Sequence, residues 1–175
     1  MARRIIGRVM STAEEVEREH PEMSPGLFYT DTDSMHIRND LLELTEIRFY
    51  EKYRYDIKGS DLCQFHIDFD NPKNFEEGEE VIGAIESYFN MKKIYADKLI
   101  GTKGSIGYHL RMKGIPTDLV RYEQYKDIYE GRSVKFDLLN GHIRFYYENG
   151  HVKTRHEMTR EIMLPSVRQA KRLKK

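Results

Sequence analysis

Ile5, Ile6, Val9, Met10, Ala13 and Val16 recur at three- and four-residue spacing and lay one apolar stripe along a helix from about Arg3 to Glu19. Pro21 and the Ser24-Pro25-Gly26 cluster end it. Leu27 to Ile37 then reads as two short β segments folded about an acidic centre. Leu41, Leu42, Leu44, Ile47, Phe49, Tyr50 and Tyr53 predict a second helix, with Asn39 or Asp40 as N-cap and Gly59 as its stop. Leu62 to Phe69 predicts a strand, and Asn71 to Glu80 an acidic loop. Val81 to Phe89 and Lys93 to Leu99 form a hairpin around Asn90-Met91-Lys92, followed by a strand from Ile106 to Lys113 that Gly114-Ile115-Pro116 closes. Thr117 caps a helix from Asp118 to Glu130, with Gly131 as its stop. Gly141 to Tyr147 and Val152 to Met158 flank Asn149-Gly150, a strong hairpin signal, and the basic tail from Arg168 reads as a frayed end. The fold class expected is α+β, with no internal repeat or low-complexity linker.

Composition adds a constraint. Hydrophobic residues make up 39% of the 175 and charged residues 33%, against roughly 25% charged in ordinary globular domains. The chain is therefore either an unusually solvated domain or a piece of something larger whose core is completed elsewhere. Cys63 is the only cysteine, so an internal disulfide and a cysteine-built zinc set are excluded and a reducing compartment fits. The sequence has no run of apolar residues long enough for a membrane span and no signal peptide, which points to a soluble, cytoplasmic protein. Net charge is zero, but residues 91 to 113 carry six cations and one acid, and residues 151 to 175 carry eight cations and two acids. A polyanion responds to such local surfaces rather than to the total, so nucleic acid is not excluded. The alternative is that these runs are solvated faces.

The acidic centre is Tyr29-Thr30-Asp31-Thr32-Asp33-Ser34. In an extended chain Tyr29, Asp31 and Asp33 face one way, which would force two carboxylates together. Like charges that close are relieved by a divalent cation, and hard oxygen donors select Mg2+ or Mn2+. A turn in which both aspartates cap backbone amides is the alternative reading of the same residues.

At every specified position these six residues match the YxDTDS motif of family B DNA polymerases. The resemblance continues through Arg4, Ile5 and Met10, then Gly59, Leu62, Gln64-Phe65-His66 and Asp68-Phe69, in the order found in the viral and organellar branch of that family. Lys92-Lys93-Ile94-Tyr95-Ala96 is similar to the family's KKxYA element, and Arg111-Met112-Lys113-Gly114-Ile115 resembles its later Lys-Gly strand. The resemblance implies a partial palm subdomain with an antiparallel sheet and flanking helices over 1–116. A small helix-plus-hairpin thumb with a basic tail follows over 117–175. It implies that Asp33, and Asp31 beside it, are catalytic and bind the two Mg2+ or Mn2+ ions of nucleotidyl transfer, with Tyr29 and Thr32 near the incoming dNTP. Lys92, Lys93, Tyr95, Arg111 and Lys113 would contact the DNA primer-template. Without the resemblance, Lys residues on the solvent side of a meander and a core Tyr95 account for the second element.

The family's upstream aspartate with its Ser-Leu-Tyr-Pro run, and its helix with Lys-x-x-x-Asn-x-x-x-Gly spacing, do not occur here. The expected function is thus the C-terminal part of a DNA-directed DNA polymerase, whose partners are primer-template DNA, dNTP and an N-terminal part carrying the missing motifs. A catalytically silent DNA-binding remnant is the alternative. Asp-x-Asp glycosyltransferases and Asp-x-Asp-x-Thr phosphatases fit poorly, since the βαβ array of the first is absent and Met35 stands where the second needs Thr or Val. His66 and Asp68 form no defensible ligand set and carry no role. Cys63 stands where that family branch often has glycine.

Overall fold

A computed structural model of the chain describes residues 2–32, 34–66, 69, 72 and 75–166. They form an α+β fold that divides into two compact units, Met1–Asp68 and Phe69–Lys175. Among the described residues no helix is long and apolar enough to cross a membrane.

The first unit is two helices and a hairpin. Helix α1 (Ala2–Glu19) buries Val9, Ala13 and Val16, the stripe its spacing predicts. Helix α2 (Asn39–Tyr53) buries Leu41, Thr45 and Phe49, four residues apart each time and so on one face. Val9, Phe49 and Ile57 pack with Ile5, Met35, Tyr55 and Phe65, while Ala13, Val16 and Leu41 pack with Met23, Ile37 and Leu44. Strands β1 (Leu27–Asp31) and β2 (Ser34–Ile37) pair antiparallel. Their entry is fixed by the Glu17 carboxylate, which accepts N–H bonds from Gly26 at 2.5 Å and Leu27 at 3.3 Å.

Several local expectations for this unit are corrected. The N-cap of α2 is Arg38, and Asp40 lies in the first turn, where its carboxylate accepts the Leu41 N–H at 2.8 Å and pairs with Arg38. The helix ends well before Gly59, at Arg54, which adopts the left-handed conformation (φ 53°, ψ 40°) and donates its N–H to Tyr50. Leu62 to Phe69 is not a strand over its described part, where Lys58 and Phe65 make one isolated bridge and Asp61 to Gln64 form a turn closed by a 3.1 Å backbone bond. Ile67 and Asp68 lie outside the described residues.

Cys63 occupies the third position of that turn with φ 76°, a place where glycine avoids the contact between Cβ and carbonyl. Backbone handedness therefore makes this a position suited to glycine. Cys63→Gly is expected to raise the unfolding free energy by about 1 kcal/mol, measured by urea denaturation.

The second unit is a meander and a long hairpin joined by a short helix. Strands β3 (Val81–Met91), β4 (Ile94–Gly101) and β5 (Ile106–Met112) form one antiparallel sheet in that order. Helix α3 (Tyr122–Tyr129) follows, and β6 (Val134–Glu148) pairs with β7 (His151–Ile162). Asn149 and Gly150, both at positive φ, make the expected two-residue turn. One core of Ile94, Ala96, Met112, Ile115, Val120, Tyr125, Ile128, Phe136, Leu138 and Ile162 unites sheet, helix and hairpin. The division drawn from sequence at 116/117 falls inside that core.

Two further boundaries differ from the sequence pattern. Thr117 opens a 3-10 turn rather than capping α3; the N-cap is Arg121, whose N–H donates to Gln124 Oε1 at 2.7 Å. The β3–β4 turn is Lys92-Lys93, not Asn90-Met91-Lys92. Asn90 stays in the strand because its side chain is buried and donates from Nδ2 to the Tyr125 carbonyl at 3.0 Å.

Glu79 clamps the β4–β5 turn from below. It is 1% exposed, and its Oε1 accepts the N–H groups of Lys103 (3.0 Å) and Ser105 (3.1 Å), while Oε2 accepts that of Glu76 (3.1 Å). Burial pushes its pKa up, but the Ser105 side chain and these three amides outweigh burial and hold it below the ordinary carboxylate value of 4.5. A folded-state pKa below the unfolded one means stability present above the unfolded value and lost as pH falls through the folded one. Thermal unfolding between pH 7 and pH 3 is expected to show Glu79→Gln less stable at neutral pH, with a shallower acid limb than wild type; parallel curves would refute the clamp.

Candidate functional site

The β1–β2 hairpin is tight. Asp31 pairs with Ser34 across the two-residue Thr32-Asp33 connection, Thr30 with Met35 and Tyr29 with His36. Thr32 takes φ 59° to make the reversal, an uncommon value for a β-branched residue. Its hydroxyl donates to Asp31 Oδ1 at 3.2 Å, and the Ser34 hydroxyl donates to the Asp31 carbonyl at 3.1 Å. Tyr29 and Asp31 are two apart on one strand and so share a face. Both are half-buried, and the Tyr29 ring meets the His36 ring edge-on at 5.8 Å. The alternation that grouped Tyr29, Asp31 and Asp33 applies to the first two, because β1 ends at Asp31. Asp33 lies outside the described residues.

The chemistry of Asp31 suits a hard divalent cation. Mg2+ is held by one or two protein carboxylates together with substrate phosphates and water, not by an all-protein cage. Among the described residues no three His, Cys, Asp or Glu side chains converge as a metal-holding group. His66 is described and exposed; Asp68 lies outside the described residues.

The second set of candidate residues sits on β3, β4 and β5. Lys92 and Lys93 form the turn, with Lys93 at φ 61°. The Lys93 carbonyl accepts the Lys113 N–H at 3.0 Å, which sets the Lys113-Gly114 turn directly beside Lys92-Lys93. Tyr95 pairs with Phe89 on one side and Arg111 on the other. Alternation puts its ring on the face opposite Ile94 and Ala96, against Phe89 (6.3 Å) and His109 (5.8 Å). Lys92, Arg111 and Lys113 are exposed, and Lys93 and Tyr95 are half-buried. Within this unit the fold thus brings Lys92, Lys93, Tyr95, Arg111 and Lys113 onto neighbouring strand ends and turns.

The one acid of this basic segment does not dilute that surface. Asp97 is 0% exposed and lies in a row across the sheet, accepting from the Ser87 hydroxyl at 2.6 Å and facing His109 Nδ1 at 3.2 Å. Its charge is therefore satisfied inside the protein. Lys103, by contrast, is removed from the positive surface, since its ammonium meets Glu76 at 3.4 Å and the Glu77 carbonyl at 3.0 Å.

Two features escaped the sequence. The Ser87–Asp97–His109 row follows from strand register, which no local pattern fixes. Arg160, on β7, donates from Nη1 to the Gly114 carbonyl at 2.7 Å across 46 residues; the only signal for it was Gly114, whose φ of 85° leaves room for that guanidinium. No model of a known protein family, no curated protein and no solved structure matches this chain.

Proposed function

We propose that the chain is the C-terminal part of a DNA-directed DNA polymerase, contributing carboxylates to a two-metal nucleotidyl-transfer site and cations to the primer-template duplex. What supports this reading is the six-residue Tyr29–Ser34 run seated on a tight antiparallel hairpin, with Asp31 at the mouth of its turn and Tyr29 on the same face. Asp31, and by the resemblance Asp33 more directly, would hold the Mg2+ or Mn2+ ions. Such ions, when bound, neutralise triphosphate charge and polarise the attacking and leaving oxygens of an in-line displacement. Tyr29, packed on His36, presents an aromatic edge beside the incoming nucleotide, and Thr32 steadies Asp31 through its hydroxyl.

Lys92, Lys93, Arg111 and Lys113 supply phosphate contacts that fix the duplex without reading its sequence. Tyr95, braced by Phe89 and His109, offers a rigid ring with a polar tip against the same duplex. The missing carboxylate and the triphosphate-holding helix come from the N-terminal part.

The test is primer extension with dNTP by the full chain mixed with that N-terminal part. Extension is expected with Mg2+ or Mn2+ and is expected to vanish when the ion is chelated. Salt-sensitive duplex binding with no extension under any metal would reduce the reading to a DNA-binding module.

A further inference from the structure

Arg160 is half-buried on β7, paired across the hairpin with the core residue Phe136. Its Nη1 donates to the Gly114 carbonyl, and Gly114 fits against it so closely that a Cβ there would stand 1.9 Å from the same nitrogen. Gly114 continues the turn of Lys113, whose own N–H is bonded to the Lys93 carbonyl. A single guanidinium therefore braces the strand end that carries Lys113 and, through it, the Lys92-Lys93 turn. Arg38, Arg48 and Arg132 each pair with a carboxylate. Among the described residues Arg160 has no such partner and one acceptor only, a neutral carbonyl.

A guanidinium offers five N–H donors in a planar fork. A half-buried cation whose one acceptor is the backbone carbonyl that follows Lys113 keeps donors and charge for an anion from outside, and the geometry of the fork matches two oxygens of a phosphate. We infer that Arg160 is a further phosphate-binding residue of the duplex surface, which it also positions by holding the Lys113-Gly114 turn. This rests on the DNA-binding part of the reading above. The ligand is a phosphodiester of the duplex; a free triphosphate presents the same chemistry and is separated by the second arm of the test.

The experiment measures binding of the full chain to a labelled 20-base-pair duplex as a function of salt. One phosphate contact releases about 0.9 of a counterion, so its loss makes the slope of log K against log salt shallower by about one and weakens binding about eightfold at 0.1 M. Arg160→Gln is expected to show both changes. Arg160→Lys keeps the charge and the slope but loses the paired fork, with affinity about threefold weaker; it serves if the glutamine variant does not fold, and unchanged affinity there overturns the assignment. A brace without phosphate contact would lower the melting temperature of Arg160→Gln and leave its slope at the wild-type value, which also overturns it. In the second arm dNTP alone is titrated. If Arg160→Gln weakens dNTP binding while the duplex slope stays unchanged, the phosphate belongs to the nucleotide and the duplex assignment fails. Wild-type protein that does not bind duplex at 0.05 M salt would instead sink the DNA-binding reading itself, and Arg160's role with it.

Discussion

Asp31→Asn is expected, on the function proposed above, to cut metal-dependent primer extension, measured with the N-terminal part present, by at least about a hundredfold, since the metal ions such a carboxylate would hold supply several kcal/mol to the transition state. Asparagine keeps the size of the side chain and an oxygen able to accept the Thr32 hydroxyl. The hairpin should therefore survive, with an unaltered melting temperature. Duplex affinity should also stay at the wild-type level, because the cations of β4, β5 and their turns are untouched. Asp33→Asn, at the position the resemblance makes the more direct ligand, should lose at least as much. Full extension by Asp31→Asn would remove this carboxylate from the chemistry and leave the Tyr29–Ser34 run as a turn. A loss of extension accompanied by a loss of fold would be settled by the melting curve.

Tyr125 governs the second unit. Its side chain is 0% exposed at the centre of the core shared by the sheet, α3 and the β6–β7 hairpin, and its backbone carbonyl takes the bond from Asn90. Tyr125→Ala is expected to cost about 3–5 kcal/mol, by analogy with large-to-small aromatic substitutions in cores. Domains of this size are stable by only about 5–15 kcal/mol, so the urea midpoint of this unit should fall by a large fraction and duplex binding should fall with it. Tyr125→Phe behaves oppositely. The Tyr125 hydroxyl is buried with no hydrogen-bond partner among the described residues, and desolvation pushes its pKa far up. Deleting an unsatisfied buried hydroxyl removes a desolvation cost without leaving a hole, so the phenylalanine variant should match or exceed wild-type stability. A phenylalanine variant as damaged as the alanine one would mean the hydroxyl does have a partner.

Local signals suffice where one period or one turn type dominates. The stripe of α1, the two segments around the acidic centre and the Asn149-Gly150 hairpin all follow from spacing and φ preferences within a few residues. Capping does not follow residue type: Asn39, Asp40 and Thr117 are all good cap residues by type, yet Arg38 and Arg121 take the N-cap positions. At Arg121 the N3 amide, Gln124 N–H, is met by the Arg121 backbone carbonyl at 3.2 Å, which takes over part of what a capping side chain supplies. Asparagine by type favours turns, but the Asn90 amide is drawn into the core by a carbonyl 35 residues away, and the reversal falls at Lys92-Lys93.

The chain by itself determined its helices, its two clearest hairpins and the carboxylate run at the first of them, since each depends on neighbours closer than about one helical turn or one strand pair. Only the tertiary structure decided that Asp97 is buried against Ser87 and His109, that Lys103 is neutralised, and that Arg160 stands on Gly114. Those partners lie 10 to 46 residues apart. Which of many polar groups meet at such separations is set by strand register and by the single arrangement that closes the core, and neither is written in the local pattern of apolar and polar positions.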